Sequence, residues 1–238
     1  MKKVAFIGGY DKTDLILYIA KILRVLGKKV LVIDTTLTCK TQYIVPTITP
    51  TKKYVTTFDG IDVAIGFKDI NDFKEYQSIE ESLDGEYDFV LLDVDTVESY
   101  HNFDMTKNDI NLFVTNFDVY SVQKGVNVLK GFKETTPITK VIFTKDMESD
   151  ESDYLDFITL SYKVKWDQSV VYFPFDTDDL YAIYQNQRFA KVKFFNLSIE
   201  YIDSLMFLAE IIAGLSKNDI KKAMKLIDKE WKDNKLCL

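Results

Sequence analysis

The chain has 238 residues and a mass of 27.6 kDa, of which 47% are hydrophobic and 14% aromatic; that supplies a sizeable core for one large domain and excludes wholesale disorder. Thirty basic side chains against 37 acidic ones leave a net charge of −7 and a pI near 4.9, which excludes a surface that grips nucleic acid by general charge. Two cysteines, Cys39 and Cys237, stand almost a chain length apart without the spacing of a zinc site or the density of a disulfide scaffold, so both read as reduced thiols.

The opening run Val4 to Gly9 is broken by Tyr10 and Asp11, too short for a signal peptide. No apolar stretch approaches the roughly 20 residues of a membrane span, so a cytoplasmic protein is the expectation. The first 34 residues read as one βαβ unit. A strand Val4 to Ile7 meets a Gly8-Gly9 turn, a helix carries Leu15, Ile19, Ile22, Leu23 and Leu26 at spacings of three and four, Gly27 supplies its left-handed C-terminal cap, and a second strand runs Val30 to Ile33. Both strands are apolar at consecutive positions, as strands covered on both faces must be.

Tyr54 to Phe58 and Ile61 to Ile65 flank Asp59-Gly60, a two-residue hairpin turn, and predict an antiparallel ribbon within 51–66. Further strands are expected at Phe89 to Leu92, Leu112 to Val114, Val141 to Phe143 and Val170 to Phe173, separated by helix-periodic stretches. The alternation predicts an α/β fold, a doubly wound and mostly parallel sheet flanked by helices. In the last quarter Ser198 caps a helix ending near Gly214, and Ser216 to Asp219 forms the capping box of a final helix reaching about Lys232. The expected organisation is a domain over 1–214 and an amphipathic helix over 215–238.

A glycine-rich turn between a buried strand and a helix N-terminus is where α/β proteins hold phosphates, because free N–H groups and the helix dipole converge there. Gly8-Gly9-Tyr10-Asp11-Lys12-Thr13 occupies that place. It is an imperfect G-x-x-x-x-G-K-[ST], since Asp11 stands where the second glycine belongs. The bland alternative is a tight turn followed by an exposed lysine.

The opening as a whole, from Phe6 to Asp14 and on through Gly27-Lys28-Lys29-Val30-Leu31-Val32-Ile33-Asp34, resembles the ParA/MinD family of P-loop ATPases, with its K-G-G-x-G-K-T-T loop and G-x-K-V-L-L-I-D strand. Tyr87 to Asp93 is similar to the family's Walker B strand. Val114 to Gly125, with Ser121, Val171 to Asp176, and Leu197 to Ile212 resemble later segments in the right order, so the likeness covers about residues 1 to 214. The resemblance implies a nucleotide site at Gly8, Gly9, Tyr10, Asp11, Lys12, Thr13 and Asp14, Mg²⁺ held near Thr13, Asp34 and Asp93, and a homodimer working through protein partners.

Departures from the family pattern bear on function. The loop's first lysine is Ile7, its second glycine is Asp11, its second threonine is Asp14, the hydrolytic aspartate of the second strand is Thr36, Asp95 adds a further charge, and Thr144-Lys145 stands where a base-recognising asparagine is expected. Like charges near 4 Å cost on the order of 1 kcal/mol in bulk water and about 4 at an effective dielectric of 20. Lys12 amid Asp11, Asp14, Asp34, Asp93 and Asp95 is therefore expected to be outweighed, leaving ATP and Mg²⁺ weakly held. The expected protein is a pseudo-ATPase, a scaffold or localisation factor for an assembly such as a pilus or secretion machine. An active Mg-ATPase for partition or positioning is the alternative reading. A dinucleotide-binding Rossmann-like module, with Asp34 on a ribose, is a second.

His101, the single histidine, reads as a surface residue. The tail from Ser216 to Leu238 holds seven lysines and four acids, with Ile220, Met224, Ile227 and Trp231 on one face. Such a face packs on the parent domain or a partner, or makes the peripheral membrane contact that the MinD likeness implies.

Overall fold

The computed structural model describes residues 1–47, 51–78, 83, 85–143, 150–174 and 176–235. Eight strands form one sheet: β1 (Lys2–Ile7), β2 (Val30–Asp34), β3 (Tyr54–Phe58), β4 (Ile61–Ile65), β5 (Phe89–Val94), β6 (Ile110–Thr115), β7 (Thr136–Phe143) and β8 (Val164–Phe173). Their order is β3-β4-β2-β5-β1-β6-β7-β8, with β3 antiparallel to β4 and every other pair parallel. The hairpin therefore lies at one edge, and its turn uses positive φ at both Asp59 (55°) and Gly60 (80°), the geometry that matches the twist of the flanking strands.

Alternate residues of the central strands point to opposite faces, so each face builds its own core. On one side Val4, Phe6, Val32, Leu91 and Leu112 pack with α1 (Thr13–Val25), α8 (Ile199–Ala213) and α9 (Lys217–Lys235). On the other, Ala5, Ile7, Leu31, Ile33 and Leu92 pack with Phe73 of α3 (Ile70–Gln77), Tyr100 of α4 (Val97–Asn102), and Val122, Val126 and Leu129 of α5 (Val119–Lys130). Between these come a short α2 (Thr41–Ile44), α6 (Asp150–Ile158) and α7 (Thr177–Phe189).

Helix ends follow the chemistry of their residues. Ser198 Oγ accepts from the Tyr201 N–H at 3.1 Å, Gly214 closes α8 at φ 67°, and Ser216 Oγ donates to Asp219 Oδ2 at 2.7 Å. At the end of α1 Gly27 takes φ 79°. The described part of the apolar stripe of α9 is covered: Ile220, Met224 and Ile227 are buried in the same core as α1 and α8, and Ala223 is buried too. The Trp231 side chain, Phe175, Cys237 and residues 144–149 lie outside what is described.

Two strands are longer than their apolar runs suggest. β7 begins at Thr136 and β8 at Val164. The first half of β8 alternates Val164 and Trp166, half-buried against the core, with exposed Lys165 and Asp167, so no run of consecutive apolar residues announces it. Its parallel pairing with β7 defines it instead.

Candidate functional site

β1 lies at the centre of the sheet, with β5 on one side and β6 on the other, and the chain changes winding direction there. The crevice beyond the carboxyl ends of such strands is where open α/β sheets bind ligands. Gly8 to Thr13 fills that point, joining β1 to α1. Gly8 sits at φ 153°, and a Cβ there would fall 2.2 Å from the Val114 carbonyl oxygen, so only glycine fits. A Cβ on Gly9 would come within 2.8 Å of Lys124 Cβ and 3.2 Å of Ser121 Cα. Both glycines thus let the turn lie against β6 and α5. Tyr10 leaves the loop sideways, its ring 4.8 Å from that of Phe143, and burial raises its hydroxyl to about 12.

The lysine of the loop is not exposed. Lys12 is 3% accessible, its ammonium 2.6 Å from Asp93 Oδ1 and donating to the Gly8 carbonyl at 2.9 Å. Asp93 is itself buried, and desolvation pushes its carboxyl up to about 6 against the pull of Lys12, with Asp34 adding repulsion. Asp34 and Asp93 stand side by side in the β2–β5 register. The Asp34 carboxylate, 1% exposed, accepts from the Thr36 N–H and hydroxyl and from the Thr41 N–H at 3.0, 2.6 and 3.1 Å. It is buried and held by its own loop. Ile7 is fully buried, so nothing from that position reaches outward.

Asp11 and Asp14 both meet Lys40, from the turn before α2: Lys40 Nζ bonds Asp11 Oδ2 and lies 3.6 Å from Asp14 Oδ2. Asp14 also accepts from Gln187 Nε2 at 2.8 Å, and burial raises its carboxyl to about 6. Asp95 pairs with Lys124 of α5 at 2.5 Å and receives the Leu37 N–H. The expectation of one ammonium among five carboxylates is corrected here, because Lys12, Lys40 and Lys124 all face them. Lys40 and Lys124 escape sequence reading since they lie 29 residues from Asp11 and Asp95 respectively, and only the sheet order brings them in.

The start of α1 carries its own anion. Asp11 Oδ1 accepts the Thr13 N–H at 3.2 Å, one of the free donors that a phosphate would use. With Lys12 committed to Asp93 and Gly8, and Thr13 N–H committed to Asp11, the residues as arranged do not fit a triphosphate. Among the described residues no group of three His, Cys, Asp or Glu is placed to hold a metal ion.

Comparison with known proteins agrees on architecture. The MinD cell division protein of Aquifex aeolicus superposes with a TM-score of 0.53 at 16% identity, covering 91% of this chain and 98% of that one. The fold is that of MinD. A nucleotide-binding protein from Archaeoglobus fulgidus in complex with ADP (TM-score 0.44, 13% identity, 84% and 93% covered) and pNOB8 ParA bound to nonspecific DNA (0.44, 13%, 88% and 99%) are also similar. No family model and no curated protein sequence matches. The MinD-like fold accounts for the eight-stranded, mostly parallel sheet and its flanking helices.

The remaining candidates are structural. His101 is half-buried rather than a free surface residue, its Nε2 3.1 Å from the Gly131 carbonyl. Cys39 is a free thiol that donates to the Thr36 carbonyl, and burial raises its pKa. Ser121 is buried near the start of α5, its N–H held by Asp118. No helix among the described residues is long and apolar enough to cross a membrane.

Proposed function

We propose that this MinD-like protein acts as a homodimeric scaffold or localisation factor, for a cellular assembly such as a pilus or secretion machine, without nucleotide turnover. The observation that carries the reading is the internal commitment of Lys12, whose ammonium bonds Asp93 and Gly8 inside the protein. Phosphoryl transfer needs positive charge gathered around the γ-phosphate. Here Lys40 and Lys124 are each already paired with the carboxylates of the same mouth, and the strand-end hydrolytic position is Thr36.

Surface chemistry supports action through protein contacts. Val119 and Tyr120 at the start of α5, and Tyr181, Tyr184 and Phe189 on α7, are large apolar side chains left exposed. Such residues are enriched where proteins associate.

Calorimetric titration of Mg·ATP into the purified protein tests the reading, together with sedimentation in the presence and absence of ATP. The expected result is a dissociation constant weaker than about 1 mM and a dimer indifferent to nucleotide. Micromolar binding that disappears in Lys12→Ala, or dimerisation that requires ATP, would overturn it.

A further inference from the structure

Resting on that reading and deepening it, we propose that the Asp11 side chain is a built-in occupant of the loop's anion seat, clamped by Lys40, and that this carboxylate, beside the Lys12–Asp93 pair, keeps phosphate out of the loop. Asp11 bridges two groups that would serve a phosphate: the Thr13 N–H, held by Oδ1, and the Lys40 ammonium, held by Oδ2. Around it the scaffold is intact. Gly8 holds the φ that only glycine adopts, Gly8 N–H is bonded to the Val94 carbonyl at 3.0 Å, and Thr13 is buried at the first position of α1.

The geometry makes the clamp reversible by substitution. Asp11 is exposed and has no positive φ, so neither glycine nor alanine there creates a cavity or strain. Removing its carboxylate frees the Thr13 N–H and releases Lys40, whose remaining partner, Asp14 at 3.6 Å, also accepts from Gln187. Lys40 would then change roles, from neutralising an internal acid to meeting a phosphate. Taking away the Asp11 carboxylate also removes its like-charge repulsion with an incoming phosphate.

The test titrates inorganic pyrophosphate and Mg·ATP, separately, into the wild type, Asp11→Gly, Asp11→Ala and the double variant Asp11→Gly with Lys40→Ala, by calorimetry, with thermal unfolding confirming that each is folded. Asp11→Gly and Asp11→Ala are expected to bind at least tenfold more tightly than the wild type, and the double variant to lose that gain. Unchanged weak binding in both single variants overturns the clamp while leaving the proposed function standing. Tight binding by the wild type overturns the proposed function itself. A gain that survives Lys40→Ala overturns the assigned role of Lys40, and with it the proposal as stated.

Discussion

Replacing Lys12 with methionine probes the centre of the molecule most directly. The substitution keeps the unbranched stem and removes the ammonium, leaving Asp93 buried with its Oδ1 facing no cation at 2.6 Å. Both side chains are almost inaccessible, 2% and 4%, so solvent cannot make up the loss, and breaking such a pair costs about 3–5 kcal/mol. The penalty belongs to the ionised carboxylate. Asp93 titrates near 6 because burial outweighs the attraction of Lys12, and without Lys12 its pKa moves further up. Urea unfolding followed by circular dichroism is expected to show Lys12→Met destabilised by about 3–5 kcal/mol at pH 8. At pH 5, where the carboxyl is protonated, the deficit shrinks to about 1 kcal/mol, the worth of a lost hydrogen bond. Adding Asp93→Asn should recover most of the loss at pH 8, since no charge is then stranded. A deficit equal at both pH values, or below about 1 kcal/mol at pH 8, would refute the buried pair.

The wild type has its own pH signature. Asp93 and Asp14 both have folded pKa values raised from 3.8 to about 6, so between those values the native state binds more protons than the unfolded one and stability falls as pH rises. The urea midpoint is therefore expected to be higher at pH 5 than at pH 7.5, and a midpoint that climbs steadily over that interval would contradict the assignment. Gly8→Ala forces a Cβ to within 2.2 Å of the Val114 carbonyl at φ 153°; a loss of about 3 kcal/mol or more is expected, and a thermal melt matching the wild type would show that the turn is not held as described. Ile220 is fully buried between α9 and its neighbours, so Ile220→Ala should cost about 2–5 kcal/mol. With the same face covered, co-sedimentation with anionic vesicles should leave the protein in the supernatant, and a pelleted wild type would show that α9 opens to the membrane.

Sequence determined what is local. The apolar runs of β1 and β2, the 3.6-residue stripe of α1, the Asp59-Gly60 turn, and the serines at the starts of α8 and α9 each specify their element through bonds and contacts within a few residues. From them followed the parallel sheet and the loop at its switch point. Tertiary structure alone decided the strand order, the early start of β8, and above all the pairing of charges at the mouth. Asp11 and Asp95 look unopposed along the chain because their partners Lys40 and Lys124 each lie 29 residues away. Coulomb attraction depends on distance in space, and that distance exists only once β2, β5, β1 and β6 lie side by side.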